Sequence, residues 1–270
     1  MDSKIESVQN EKIKKAVKLA HSSKARMEQG LFFLEGLRLC TDALNSSAVV
    51  DTVFYTVSCL EKHRSVLQPL CDAAKHSFAV SDAVADKLSQ TQTTQGVFCL
   101  VRTVMIPDAL ELCGDGKYIA LEQIQDPSNL GAICRTAEAL GISGAVLTGC
   151  CDIYNAKALR ASMGSLLRLP LFQCSDLPSL LQRKKADGMH VYAATPDDCA
   201  TPVTACDMKH GVITVIGNEG NGLTKETLDV CDLLTIPMFG RAESLNASMA
   251  AAIVMWEMMR TDHCGRHSIE

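Results

Sequence analysis

The sequence predicts an α/β protein built as two domains, on three observations. Strand and helix patterns alternate along the whole chain. A stretch with Pro at one end and Gly-Asp-Gly at the other, PDALELCGDG at 107–116, interrupts that alternation. Hydrophobic residues make up 47% of the 270 and charged residues 21%, enough apolar material for a sizeable core.

Taken in order, the apolar residues Ile5, Val8, Ile13, Val17 and Leu19 interleave with lysines, which predicts a basic-faced helix from Ile5 to about Ala20. LFFLEG (31–36) reads as a short strand and GLRLCTDALN as a helix ending near Asn45. TVFYTVS (52–58) has the β-branched and aromatic content of a strand. A helical stretch to about Lys75, a strand at HSFAV, a helix at SDAVADKLS and a strand at VFCLVRTV follow. These elements define a small α/β domain over 1–106, with 107–116 as linker and 117–270 as the second domain.

In the second domain the strands are KYIALEQI, GAVLTG, LPLFQC, HVYAAT, GVITVIG and LLTIPM. Between and after them come the helices opening at DPSNLGAICRTAEALG, NAKALRASMG, DLPSLLQRKK, TKETLDVC and LNASMAAAIVMWEMMR. Repeated βα units predict a mostly parallel sheet covered on both faces.

Composition excludes several classes. No run approaches 18 apolar residues and MDSKIESVQNEKIKK has no apolar signal core, so neither a membrane span nor export is expected. Thirteen cysteines, an odd number without a C-x-x-C pair, predict reduced thiols in the cytoplasm and no metal site. A net charge of −5 makes no global case for nucleic acid, but residues 1–30 hold seven Lys/Arg against four acids.

Ligands of open α/β sheets sit beyond the carboxyl ends of strands, which singles out three loops. The first, DPSNLGAICRTAEALG (126–141), carries Asn129, Gly131 and Arg135 through a small, apolar helix. On the residues alone, Asn129 as a helix cap and Arg135 paired with Glu138 on a solvated face is a sufficient account. The second, IGNEGNGLTKE (216–226), has three glycines in six residues around Glu219. Its G-x-x-G-x-G order reverses the dinucleotide fingerprint and lacks a P-loop lysine. In the third, IPMFGRAESLNASMAAAIV (236–254), Ser244 fits an N-cap. Leu245, Met249, Ile253 and Trp256 line one side of the helix, and Asn246 and Ser248 are poor helix formers left unexplained by capping.

In order and spacing, N-x-G-x-I-x-R-T-A-E-A-x-G (129–141), I-G-N-E-G-x-G-L (216–223) and I-P-M-x-G-x-x-E-S-L-N-x-S-x-A (236–250) resemble the signature motifs of the SpoU family. These are RNA ribose 2'-O-methyltransferases of the SPOUT superfamily. RASMGSLLRLP (160–170) is similar to a further family segment. The resemblance implies a C-terminal parallel-sheet domain with a deep trefoil knot, a homodimer through that domain, and S-adenosylmethionine as cofactor without a metal. It also implies cofactor contacts from Thr195, Gly217, Asn218, Glu219, Ile236, Met238, Leu245 and Asn246. Arg135, Asn129, Glu219, Ser244 and Asn246 would form the catalytic constellation. The first domain resembles the substrate-binding domain of one branch of the family, related to a small ribosomal protein, through KIKKAVKLAHSSKARMEQGLFFLEGLRL. That branch acts mostly on ribosomal RNA, which is therefore the favoured partner.

Family mechanisms make the residue at Arg135 the general base, but an arginine stays protonated under nearly all conditions. Two roles follow: a transiently neutral Arg135 relieved of its proton by an RNA phosphate, or a cation that stabilises the developing alkoxide. The basic first helix, Arg160, Arg168 and RKK (183–185) are candidate phosphate contacts. Transfer RNA as substrate, a catalytically silent RNA-binding or ribosome-assembly protein, and a nucleotide-dependent oxidoreductase are the competing readings. Intact Asn129, Arg135, Glu219 and Asn246 speak against silence, and the missing fingerprint against the oxidoreductase.

Overall fold

The computed structural model describes residues 4–46, 48–197 and 199–264. Contacts divide the chain into two compact units, Met1–Met105 with Asp152–Arg168, and Ile106–Cys151 with Leu169–Glu270. The excursion 152–168 thus groups with the first unit, whereas the sequence pattern runs the second domain unbroken from 117.

The first unit holds β1 (Leu31–Glu35), β2 (Val50–Thr56), β3 (His76–Val80) and β4 (Val97–Arg102) in the order β1-β4-β2-β3. β4 runs antiparallel to both neighbours, and β2 and β3 are parallel. Its helices are α1 (Glu11–His21), α2 (Ser23–Gln29), α3 (Leu37–Leu44), α4 (Val57–Lys62), α5 (Arg64–Ala73), α6 (Asp82–Leu88) and α8 (Ala156–Ser162). α1 begins at Glu11, later than its apolar spacing suggests, because Asn10 caps it by accepting from the Lys12 N–H at 2.9 Å. Ile5 instead extends the sheet region, donating its N–H to Ala79 O at 2.8 Å and bridging Val80. Ile13, Ala16 and Leu19 then pack with Phe33, Phe54 and Phe98 in one apolar core, while Lys12, Lys14, Lys15 and Lys18 face solvent.

The RASMGSLLRLP segment turns sharply where Met163 (φ 50) and Gly164 (φ 89) are both left-handed. A Cβ on Gly164 would collide with an Asp42 carboxylate oxygen, so only glycine fits there. Asp42 also pairs with Arg168 at 3.2 Å. Much of this segment's character is therefore explained by local architecture.

The second unit holds β5 (Lys117–Glu122), β6 (Gly144–Thr148), β7 (Leu171–Gln173), β8 (His190–Ala194), β9 (Thr201–Pro202), β10 (Val212–Ile216) and β11 (Asp232–Thr235). They form one parallel sheet ordered β7-β6-β5-β10-β8-β11-β9. The short β9 has no counterpart in the sequence pattern. The helices of this unit are α7 (Pro127–Leu140), α9 (Leu177–Ala186), α10 (Lys225–Val230) and α11 (Ala247–Cys264). Strand alternation covers both faces: Ile213 and Val215 join Leu177, Leu180 and Leu181 of α9, while the Thr214 hydroxyl between them reaches Met258 of α11 at 3.7 Å. The buried Lys117 ammonium donates to Met258 O at 2.5 Å, tying the start of β5 to α11.

Chain order steps outward from β5 to β6 and β7, then returns to place β10 on the other side of β5. The loops after β5 and β10 therefore open side by side at a topological switch point, where α/β sheets bind their ligands. Among the described residues no helix is long and apolar enough to cross a membrane, and no cluster of His, Cys, Asp or Glu is arranged to hold a metal ion. The twelve cysteines whose side chains are described are all free thiols.

Candidate active site

At the switch point one hydrogen-bonded line joins three loops. The Asn246 carboxamide donates to Asn129 Oδ1 at 3.1 Å, and Asn129 Nδ2 donates to Glu219 Oε1 at 3.0 Å. Glu219 also accepts from the N–H groups of Asp126 (3.1 Å) and Gln125 (3.2 Å), at the chain's entry into α7. Burial pushes the Glu219 carboxyl up. The hydrogen bonds from Asn129 and from backbone N–H groups outweigh it and hold the group below its ordinary value of 4.5.

Local sequence explains how each side chain is presented. Asp126 caps α7 by accepting from Ser128 N at 2.9 Å, and Pro127 sits in the first turn. Asn129 is therefore not the cap, and its buried amide is left for the other two loops. α11 is capped by Asn246, not by Ser244. Asn246 Oδ1 accepts from Ser248 N at 2.9 Å and Ser248 Oγ at 2.6 Å, while its carbonyl accepts from Met249 and Ala250. One asparagine thus starts the helix with its oxygen and meets Asn129 with its nitrogen. The Ser244 assignment misses this because Leu245 and Asn246 continue the loop before helical bonding begins.

The glycine loop is a closed turn. Asn218 and Gly222 exchange backbone hydrogen bonds at 3.0 Å each, and Asn218 Oδ1 accepts from Gly220 and Asn221 at 2.9 Å. A Cβ on Gly217 would lie 2.5 Å from Gly222 backbone carbon, so the neck of the turn closes only with glycine there.

Beside this turn lies a cavity of about 430 Å³, within the range of small-cofactor sites. Thr195, Gly217, Asn218, Glu219, Ile236, Met238, Ser244 and Leu245 line it. Asn246, Asn129 and Arg135 are not in its wall. Sequence reasoning missed Ala194, Leu223, Leu228, Ala247 and Ala250, which also line it. Leu223 and Ala250 fall within the quoted family segments and Ala247 is a small residue at the start of an apolar helix, whereas Ala194 and Leu228 carried no signal.

Arg135 stands apart from the three-residue line. Six positions past Asn129 it lies about 9 Å further along the helix axis and on a different side, at about 1.5 Å and 100° per residue. It is exposed, and among the described residues it has no hydrogen-bond or ion-pair partner.

A parallel α/β sheet whose switch-point loops converge on a glycine-lined cavity defines the class of α/β proteins that bind a small cofactor. Comparison narrows the class to one family. Residues 116–256 match the SpoU rRNA Methylase family, and residues 10–99 match the MRM3-like substrate binding domain. The chain is 31% identical over 256 residues to the 23S rRNA (guanosine(2553)-2'-O)-methyltransferase RlmP of Bacillus subtilis (strain 168), covering 94% of this chain and 98% of that protein. It is 33% identical over 261 residues to an uncharacterized tRNA/rRNA methyltransferase of Synechocystis sp., covering 95% of this chain and 93% of the relative. The crystal structure of an AdoMet-bound rRNA methyltransferase from Sinorhizobium meliloti superposes with a TM-score of 0.85 at 27% identity, covering 96% of this chain and 98% of that one. The chain belongs to the SpoU rRNA Methylase family, and it is an RNA methyltransferase of that class.

Proposed function

We propose that this chain methylates a ribose 2'-hydroxyl of ribosomal RNA with S-adenosylmethionine bound in the cavity beside the glycine loop. The observation that carries this reading is the Asn246–Asn129–Glu219 line, which gathers three loops distant in sequence at the rim of that cavity. The wall suits the cofactor: the turn from Gly217 to Leu223, polar Thr195, and apolar Ile236, Met238 and Leu245. When bound, the cofactor supplies an activated methyl group.

The residues of the chain position and stabilise. Glu219, ionised at neutral pH and saturated by donors, fixes the loop and orients Asn129. Ser244 and Leu245 contribute to the same wall. Arg135 remains a cation and acts on bound RNA, steadying negative charge that develops on the 2'-oxygen while a phosphate or water takes the proton. Its exposure and lack of a carboxylate partner among the described residues support this role over that of a base.

The first unit is the RNA-binding domain, with Lys12, Lys15 and Lys18 of α1 as phosphate contacts, while Lys14 pairs with Glu11 at 2.8 Å. Several other candidates are occupied. Arg168 pairs with Asp42, Lys184 is buried and donates to Leu112 O at 3.0 Å, and Lys185 pairs with Asp232 at 2.9 Å. We further propose a homodimer and a trefoil knot in the second unit. Met249, Ile253 and Trp256, which the sequence spacing puts on one side of α11 together with Leu245, are exposed at 56, 38 and 50%, whereas Leu245 lies in the loop before the helix and lines the cavity. The opposite face, with Ala251, Val254, Met255 and Met258, is buried. An apolar row of this size facing outward fits a second copy of the chain.

The test is a comparison of 2'-O-methylated positions in total RNA with and without the gene, joined to methyl transfer by the purified chain. Loss of one ribosomal position, restored in vitro, is the expected result. Loss of a transfer RNA position would move the substrate, and RNA binding with no transfer would replace the enzyme by an assembly protein.

A further inference from the structure

Glu122, the last residue of β5, and Gln123 after it reach both ends of the glycine loop. Gln123 is a non-glycine residue in the left-handed region (φ 57), and its carbonyl accepts from Asn218 Nδ2 at 2.8 Å. A side chain rarely adopts that conformation without compensation, and here the turned carbonyl is what the loop's first asparagine needs. Glu122 holds the other end. Its Oε2 accepts from Thr224 N at 2.9 Å, and its Oε1 from Thr224 Oγ1 at 2.9 Å and Thr227 Oγ1 at 2.7 Å. The residue is 4% exposed, and among the described residues no cation pairs with it. A buried carboxylate persists only where donors surround it, and these three all belong to the start of α10.

Resting on the reading of the cavity as the cofactor site, we propose that Glu122, with Gln123 as the second jaw, is a positioning residue that sets the span of the loop 218–224 and thereby the affinity for cofactor. Glu122 touches no wall of the cavity and acts through Leu223 and Thr224. The carboxylate suits this task because both oxygens accept, whereas an amide would turn one of them into a donor facing another donor.

The full-length chain with Glu122→Gln, and separately Glu122→Asp and Thr224→Ala, is tested for S-adenosylmethionine binding by calorimetry. Steady-state KM for cofactor, RNA affinity and thermal midpoint are measured alongside. Glu122→Gln is expected to raise Kd and KM for the cofactor about tenfold, which is about 1.4 kcal/mol, with kcat and RNA affinity within about twofold of the parent. Glu122→Asp, one methylene short, and Thr224→Ala, without one donor, should give smaller shifts in the same direction. They also carry the test if the amide variant does not fold. Folded variants that bind cofactor within twofold of the parent overturn the proposal, even if their thermal midpoints fall, since that outcome makes Glu122 a purely structural residue. A parent that binds no cofactor overturns the reading of the cavity itself and the clamp with it, a result separable from the first.

Discussion

Arg26 of the first unit and Arg135 of the second unit are each the one arginine of their helix, α2 and α7. Their environments are opposite. Arg26 is 4% exposed. Its Nε donates to Asp152 at 2.7 Å and its Nη2 meets the same oxygen at 2.6 Å, while Nη1 donates to the carbonyl of Leu19 at 2.7 Å. It closes the C-terminal end of α1 and ties the excursion 152–168 to α2. Arg135 has solvent on it and no described partner. The difference teaches that a saturated guanidinium is architecture, and an exposed, unengaged one is left free to act on a bound substrate.

The largest expected effect breaks this comparison from the catalytic side. Arg135→Ala should lower methyl transfer by about 10² to 10⁴ and leave the thermal midpoint and cofactor affinity unchanged. Near-parental turnover would remove Arg135 from the chemistry, and Arg135→Lys should rescue little because a point charge lacks the planar fork. From the architectural side, Arg26→Ala leaves the Asp152 carboxylate and two carbonyls without their donor. A stability decrease of about 3 to 5 kcal/mol in chemical denaturation is expected, and one under about 1 kcal/mol would demote the pair to the strength of a surface ion pair.

The same contrast between used and unused groups extends to helix faces. Trp256→Glu on the exposed face of α11 should shift the chain to monomer in sedimentation while circular dichroism is unchanged. A parent already monomeric at high concentration would refute the proposed dimer face. On α1, replacing Lys12 and Lys15 by Gln should weaken RNA binding and flatten its salt dependence. The slope should fall by about 0.7 to 0.9 log unit per log salt for each phosphate that is no longer neutralised. An unchanged slope would place RNA elsewhere. The smallest effect concerns pH. The Glu219 carboxyl is held below 4.5 in the folded chain, so its contribution is complete above that value and is lost as pH falls through the depressed one. Glu219→Gln should therefore remove part of the acid-side decline in stability and leave neutral pH behaviour of the fold little changed, as urea titrations from about pH 3 to 7 will show.

Much of the site is legible in the sequence because its residues carry local oddities. Asn129 and Asn246 are poor helix formers placed at helix starts, and the glycines flanking Glu219 allow a turn few residues can make. Capping is less legible. Asp126 and Asn246 hold the cap positions, and which of two or three adjacent polar residues takes that role depends on where helical bonding begins. Glu122 leaves no trace at all, since a glutamate at the end of an apolar strand has no mark that distinguishes a buried, donor-filled carboxylate from a solvated one. Lys184 within the basic run 183–185 is equally unmarked: it spends its ammonium on a backbone carbonyl that lies far along the chain.

The amino-acid order by itself determined the alternation of strands and helices, the glycine turn and the helix starts, because these follow from side-chain period, backbone freedom and hydrogen bonds within a few residues. Only the tertiary structure decided that β10 lies against β5, that Asn129 faces both Glu219 and Asn246, and that one arginine is enclosed while the other stays open. Those outcomes depend on which donor meets which acceptor across roughly ninety to one hundred and thirty residues of chain. Local preference carries no record of such pairings until the sheet order brings their strands together.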